Sequence, residues 1–211
     1  MKVAVFGASG RTGKFVCKNA VQKGYEVVAI VRDPAKVESL ARVQALKVDI
    51  FNVEEVKASL KGVDAVFNCL GSNDLAKTNL QRTTIKIILD AMRACDIKRI
   101  IVLGASGALH DPMKHEGLGR RIFFWIIRNT FLKNPMDDSG AQQKIVEDSE
   151  MDFTIVHPPR LTDGRSTGKY RVDQEGLPKG GRELGREDLS AYMVSLIDDA
   201  SSIRKGTYIA Y

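Results

Sequence analysis

The chain has 211 residues, of which 44% are hydrophobic and 27% charged, and its formal net charge is +6. This length and composition are typical of one globular domain and exclude a disordered, collagenous or disulfide-dense chain. The basic residues are scattered, so we expect an anionic small-molecule ligand and no nucleic-acid partner. No apolar run approaches the roughly 20 residues of a membrane span, and we expect no membrane partner.

The cysteines Cys17, Cys69 and Cys95 all lie within apolar segments. This placement predicts free thiols and a reducing, cytoplasmic location. The N-terminal sequence MKVAVFGASG runs from a short apolar stretch into glycines without a cleavage site, so we expect no signal peptide. His110 and His115 are five residues apart with a proline between them, and we expect no metal site there.

Apolar strand patterns alternate with helical patterns along the chain. The predicted strands are 2–6, 26–31, 43–49, 64–71, 99–106, 153–159 and 206–211. The predicted helices are 12–24, 34–41, 53–62, 80–95 and 187–199. This alternation predicts a single Rossmann-like α/β domain over residues 1–211, with a doubly wound, mostly parallel sheet in the order 3-2-1-4-5-6. Segment 162–185 is rich in glycine and charge and predicts a loop-rich flap.

The motif GASGRTG at 7–13 follows the first strand and opens the first helix. Glycines in such a turn allow close approach of a pyrophosphate to the free N–H groups of a helix N-terminus. The motif therefore predicts a dinucleotide site, although its spacing is Gly-x-x-Gly-x-x-Gly. Arg32 ends the second strand where an acidic residue would favour NAD, and it indicates NADP(H). The alternative is that Arg32 pairs with a surface acid.

Several motifs then occur in a specific order: AVFGASGRTG, VRDP, LGSNDLAKT, SGALHDPMK and HPPRLTDG. Together they resemble the atypical short-chain dehydrogenase/reductase group that contains biliverdin-IXβ reductase, an NADPH-dependent flavin reductase. The resemblance extends almost from end to end, through TGKYRV and GREDLSAYM. It implies an NAD(P)H-binding, NmrA-like Rossmann protein.

The resemblance assigns a cofactor role to residues at the carboxyl ends of the strands. The implied pyrophosphate residues are Gly7, Ser9, Gly10, Arg11, Thr12 and Gly13. The implied 2′-phosphate, adenine and ribose residues are Arg32, Lys36, Asp49, Ile50, Leu70, Gly71 and Ser72. The implied nicotinamide-side residues are Ser106, Lys144, His157, Pro158 and Pro159.

Two positions depart from the family pattern, at the expected substrate mouth. Gln143 and Arg160 stand where the related flavin and biliverdin reductases have histidines. These departures disfavour biliverdin as the substrate and leave cofactor binding unaffected. Arg160 would favour an anionic substrate group, such as a flavin phosphate, or would pair with Asp163.

Ser106 has no tyrosine partner between itself and Tyr170, and the position four residues before Lys144 is Gly140. Without a positioned acid, reduction of a simple ketone is disfavoured. We therefore expect Ser106 to orient the acceptor or relay a water proton, or alternatively only to cap a turn. Segment 120–133, with Trp125, carries six consecutive apolar residues. It predicts a helix packed on two sides, a lid over the substrate, or a subunit contact.

The sequence thus predicts an NADPH-dependent reductase of a small conjugated acceptor: a flavin first, with a quinone or a biliverdin-like tetrapyrrole as other possibilities. Segments 106–136 and 158–185 are expected on the substrate side. The alternative is a non-enzymatic NADP(H)-binding redox sensor. We expect a monomer or a weak homodimer.

Overall fold

The computed structural model describes residues 1–37, 41–71, 76–164 and 166–211. The strands are β1 Lys2–Phe6, β2 Glu26–Val31, β3 Val43–Lys47, β4 Ala65–Asn68, β5 Arg99–Leu103, β6 Asp152–His157, β7 Arg160–Thr162, β8 Arg171–Asp173, β9 Glu183–Gly185 and β10 Lys205–Ala210. The helices are α1 Gly13–Gln22, α2 Val53–Ser59, α3 Leu80–Ala94, α4 Leu118–Asn129, α5 Lys133–Glu147 and α6 Arg186–Ser195.

The main sheet has the order β3-β2-β1-β4-β5-β6-β10-β8, and all its pairings are parallel except that of β8 with β10. The predicted order of the first six strands is confirmed, as is the single Rossmann-like domain. The chain order reverses between β1 and β4, so the carboxyl ends of these strands flank the switch point at which such sheets bind ligands.

Alternate residues of the buried strands supply two separate cores. In β1, Ala4 and Phe6 pack with α2 and α3, whereas Val3 and Val5 pack with α1 and α6. Both faces of a mostly parallel sheet are therefore covered by helices, which explains its continuous apolar strands. The α1 and α6 layer is also joined by a hydrogen bond of 2.7 Å from Asn19 Nδ2 to Ser190 Oγ.

Several predicted elements are shorter in the structure. β4, β5 and β6 end at Asn68, Leu103 and His157, because the chain then leaves the sheet for the loops that form the candidate site. Of the predicted helix 34–41, the described residues form only a 3₁₀ turn over Pro34–Lys36, and Val37 is extended. Residues 38–40 of that helix lie outside the described residues.

The predicted loop-rich flap over 162–185 was wrong in part. It contains β8, which extends the main sheet, and β9, which pairs in parallel with β7 in a separate two-stranded sheet. Asp188 holds the loop between β7 and β8. Its carboxylate accepts hydrogen bonds from Thr167 N, Gly168 N and the Tyr211 hydroxyl at 2.9, 2.9 and 2.6 Å. Burial alone would raise the pKa of the Asp188 carboxyl, but the hydrogen bond from the Ser166 hydroxyl, together with these bonds, holds it well below its usual range.

Helix α4 covers most of the apolar segment 120–133 and has no buried residue. The exposed fractions of Ile122, Phe123 and Trp125 are 50%, 64% and 66%. The expectation of a helix packed on two sides was therefore wrong. The described part of the chain leaves several apolar side chains of α4 uncovered.

Within the described part of the chain, no helix combines the length and apolar character needed to cross a membrane. Cys17, Cys69 and Cys95 are free thiols. Burial raises the pKa of Cys17 to about 12 and raises that of Cys69 further, so neither thiol is a ready nucleophile.

Candidate functional site

The glycine turn between β1 and α1 has the geometry of an anion-binding loop. Gly7 has φ +74°, and a Cβ there would lie 2.9 Å from the carbonyl oxygen of Cys69. A Cβ at Gly13 would lie 2.1 Å from the carbonyl oxygen of Gly7, so no larger residue fits at position 13. The backbone N–H groups of Arg11, Thr12 and Gly13 have no acceptor among the residues that the structure describes. They open α1, whose dipole favours an anion at this end.

The three polar side chains of this turn differ in burial. Thr12 is buried, whereas Ser9 and Arg11 are exposed. The Arg11 guanidinium contacts the Asp163 carboxylate, which also accepts a 2.8 Å hydrogen bond from Arg186. The bond from Arg11 is the main cause of the lowered pKa of Asp163. The turn is thus tied to the loop after β7.

Arg32 lies at the carboxyl end of β2. Its side chain is exposed and makes no ion pair with any residue that the structure describes, so the surface acid of the alternative is not among those residues. Asp33 instead caps the next turn by accepting from Ala35 N at 3.1 Å, and it lies 4.0 Å from the Lys36 ammonium. The guanidinium of Arg32 is therefore available to an anion.

The ends of β3 and β4 are fixed by local polar contacts. Asp49 Oδ1 accepts from Phe51 N at 3.0 Å, and the neighbouring Ile50 is buried. Asn68 Oδ1 accepts from Leu70 N at 3.2 Å and so positions the segment leading to Gly71, which is exposed. Ser72 lies outside the described residues.

Ser106 follows β5, is buried, and joins the ends of β5 and β6. Its hydroxyl lies 2.7 Å from the carbonyl oxygen of Pro158 and 3.0 Å from that of His157, and its backbone N–H also donates to Pro158 at 3.3 Å. A serine hydroxyl has one proton, and both of its near acceptors are backbone oxygens. The proton of Ser106 is therefore directed into the protein.

His157 is enclosed at the end of β6. Its ring stacks on Tyr208 at 4.7 Å between centroids. Added Cβ atoms at Gly104 and Gly206 would lie 3.2 and 2.9 Å from its ring nitrogens. Burial, supported by the charge of His110, lowers the pKa of His157 to about 4, and a hydrogen bond to the backbone of Ala105 opposes this only partly. At neutral pH His157 is uncharged and forms part of the wall.

Helix α5 packs directly on the loop after β5. A Cβ at Gly140 would lie 2.5 Å from the carbonyl oxygen of Ala108, so this position has no room for a side chain. Gln143 is buried, and its Nε2 donates to Ala105 O and Ser139 Oγ, each at 3.3 Å. Lys144 is not brought into this group: its ammonium is exposed and pairs with Asp148 at 2.7 Å.

A cavity of about 840 Å³ begins at Ser106, Pro158 and Pro159. Its walls are mainly apolar, and α4 covers one side with Phe123, Phe124 and Ile127. Trp125 lines a different cavity, of about 460 Å³, against an adjoining face of α4. The structure therefore separates Trp125 from Ser106, with which it was expected to line the substrate site.

Three arginines lie at the large cavity: Arg120, Arg160 and Arg182. Arg160 pairs with Glu183 at 2.6 Å, so the expected alternative partner, Asp163, was wrong. Asp163 is already held by Arg11 and Arg186, and β7 pairs with β9 so that Arg160 and Glu183 are register partners.

The two histidines considered for a metal are divided between separate partners. His110 Nε2 lies 2.8 Å from Glu147, and His115 Nε2 lies 3.3 Å from Asp173. Among the described residues, no three potential metal ligands come together.

Three contributors to the site were not singled out from the sequence, although two of them, Met136 and Arg182, lie in the segments 106–136 and 158–185 that were expected on the substrate side. Gln142 Oε1 accepts from Asn68 Nδ2 at 3.0 Å and so links α5 to the end of β4. Arg182 and Met136 line the cavity from distant parts of the chain. The polar Asn68 at the end of an apolar strand was the one signal for this link. Arg182 and Met136 lie outside the quoted motifs.

The match to a family model described as NAD(P)H-binding extends over residues 7–200. The uncharacterized protein YwnB of Bacillus subtilis is 26% identical over 94% of this chain and 92% of its own. The structure of the oxidoreductase ylbE from Lactococcus lactis shares the fold, with TM-score 0.83, 24% identity and coverage of 100% of this chain and 90% of its own.

A candidate NADH-flavin reductase from Streptococcus pneumoniae has TM-score 0.80 and 25% identity, with coverage of 100% of this chain and 99% of its own. The extent of the family match, together with the glycine turn and the strand order, is decisive for classification. The chain belongs to the NAD(P)H-binding family of Rossmann-fold proteins.

Proposed function

We propose that this protein is an NADPH-dependent reductase of a small conjugated acceptor, with a flavin as the first candidate. The observation that carries the proposal is the position of the 840 Å³ apolar cavity. It begins at the carboxyl ends of β5 and β6, on the same edge of the sheet as the glycine turn after β1. The similarity to a candidate flavin reductase supports the same acceptor class.

The residues present fit a dinucleotide phosphate. The free N–H groups of residues 11–13 would hold the pyrophosphate, together with Gly7, Ser9 and Gly10. Arg32 and Lys36 would hold a 2′-phosphate, Asp49 and Ile50 the adenine, and Leu70, Gly71 and Ser72 the ribose side. His157, Pro158 and Pro159 would wall the nicotinamide end. NADPH, when bound, supplies the hydride.

The site favours acceptors that need no protein acid. Ser106 directs its proton to backbone oxygens, and His157 is neutral and enclosed. Gly140 stands where a catalytic tyrosine would precede Lys144, and the carbonyl of Ala108 leaves it no space. A simple ketone would become an unassisted alkoxide, whereas a reduced flavin or quinone delocalises its charge and can take its proton from water. The protein then chiefly orients two flat rings and excludes water.

The test is the steady-state oxidation of NADPH with flavins, quinones, biliverdins and simple ketones as acceptors. We expect flavins to be reduced fastest and unactivated ketones not to be reduced. Efficient ketone reduction would contradict the account of the site. The alternative, a redox sensor, is favoured by the inward proton of Ser106; it predicts NADPH binding with no turnover under any acceptor.

Arg32→Gln tests the cofactor preference. A charged hydrogen bond to phosphate contributes about 1.5–3 kcal/mol, so we expect NADPH affinity to fall by about tenfold or more and NADH affinity to stay within twofold. Dissociation constants come from titration of cofactor fluorescence. The control is Arg93→Gln. Arg93 is an exposed arginine of α3 that pairs with Asp90 and Glu150. Equal affinities for the two cofactors in the unmodified protein would overturn the assignment.

A further inference from the structure

The charge around the large cavity is not balanced. Arg120 pairs with Glu116 and Arg160 pairs with Glu183. Arg182 also lines the cavity and is exposed, and it makes no ion pair or hydrogen bond within the described part of the chain. The apolar cavity therefore carries one uncompensated positive charge at its edge.

The backbone that presents Arg182 is fixed on both sides. The preceding residue, Gly181, is buried, and its N–H donates to Pro178 O at 2.7 Å. Its carbonyl oxygen accepts from Arg120 at 3.3 Å. On the other side, Glu183 O accepts from Tyr211 N at 3.1 Å, and Glu183 begins β9. An arginine with an ordered backbone and a free guanidinium suits recognition of an anion.

We propose that Arg182 is a specificity residue that binds an anionic substituent, phosphate or carboxylate, of the acceptor whose apolar ring system occupies the cavity. This rests on the proposed function for the identity of the cavity as the acceptor site. The proposal adds to that function a preference of the site for anionic acceptors over neutral ones. Arg120 and Arg160 are less available for this contact, because each already has a carboxylate partner.

The experiment compares two pairs of probes that differ in charge. FMN and riboflavin share the isoalloxazine ring, and only FMN carries a phosphate. Anilinonaphthalene sulfonate and N-phenylnaphthylamine are an anionic and a neutral fluorescent probe of apolar cavities, and neither depends on turnover. Binding of each is titrated by fluorescence to the unmodified protein, to Arg182→Gln and to Arg121→Gln. Arg121 is an exposed arginine of α4 that does not line this cavity.

We expect Arg182→Gln to weaken both anionic probes by about five- to tenfold and to leave both neutral probes within twofold. Arg121→Gln should change none of the four. Added salt should reduce the preference for anions. The inference is overturned if Arg182→Gln affects neutral and anionic probes equally, or affects neither.

The two proposals fail separately. If NADPH reduces neither flavin but the charge dependence of the naphthalene probes holds, the flavin reductase proposal falls and the anion site stands. If both flavins are reduced and Arg182→Gln leaves the ratio of FMN to riboflavin turnover unchanged, the reductase stands and Arg182 is not its specificity residue.

Discussion

Ser106 shows how one side chain can link the structure of a site to its activity. Its hydroxyl and its N–H both bond to the carbonyl of Pro158, so it holds the end of β5 against the loop that walls the cavity. We propose that Ser106 positions these two walls of the site relative to each other.

Ser106→Ala removes the hydrogen bond from the hydroxyl to the Pro158 carbonyl and keeps the bond from the backbone N–H. We expect a loss of about 1 kcal/mol in the free energy of unfolding, and a fall of roughly tenfold in flavin turnover, because Pro158 and the loop after β5 are no longer joined by the side chain. NADPH affinity should stay within twofold. Denaturant unfolding, steady-state kinetics and cofactor titration measure the three quantities.

Ser195→Ala is the matched control, since the Ser195 hydroxyl donates to the Tyr192 carbonyl within α6 and to no other residue that the structure describes. It should leave turnover unchanged. Unaltered flavin turnover in Ser106→Ala would show that Ser106 has no role in the reaction and serves the turn alone.

At the level of elements, α4 differs from the other long helices. α3 buries seven residues, whereas α4 buries none and still exposes Ile122, Phe123 and Trp125. Phe124 packs over Gly107: an added Cβ at Gly107 would lie only 2.5 Å from the Phe124 ring. A helix with so few buried contacts opens locally at low cost.

We expect amide hydrogens of residues 118–129 to exchange with solvent much faster than those of α3 at 80–94. Bound acceptor should slow exchange in α4, because Phe123, Phe124 and Ile127 line the cavity and would contact it. Hydrogen–deuterium exchange with mass spectrometry, with and without FMN and NADP⁺, measures both effects. Protection of α4 equal to that of α3 in the free protein would contradict this account, and the unliganded helix would then be stably closed.

For the whole molecule, the enclosure of His157 couples stability to pH. Its pKa is about 4 in the folded protein, below its ordinary value of 6.5. Between these values the unfolded chain binds a proton that the folded protein does not, so stability rises with pH over this window. The stability that the neutral His157 contributes is fully present above about pH 6.5 and is lost as the pH falls towards 4. Each pKa unit is worth about 1.4 kcal/mol, which makes the total roughly 3 kcal/mol.

His157→Gln should flatten the plot of unfolding free energy against pH between 4 and 6.5. The slopes of these plots are compared rather than the absolute free energies, because the substitution also removes the stacking on Tyr208. Tyr208→Phe keeps the stacked ring and should retain the slope of the unmodified protein. A slope unchanged in His157→Gln would assign the pH dependence to carboxylates.

The sequence by itself determined the main part of the parallel sheet and the glycine turn of this protein. Apolar strand periodicity and the glycine spacing are local properties, and they were sufficient for the order of the first six strands and for the turn at 7–13. The free N–H groups of that turn follow from its position before α1 rather than from distant contacts.

Only the tertiary structure decided the acceptor side. β7, β8 and β9 are three residues each, too short to show a period, and they form because partners from distant strands meet them. The inward proton of Ser106, the pairing of Arg160 with Glu183 and the unpaired Arg182 likewise depend on segments far apart in the chain. Local patterns specify the longer strands and helices, whereas the short strands, the side-chain partners and the cavities depend on how those elements pack, which no sequence periodicity encodes.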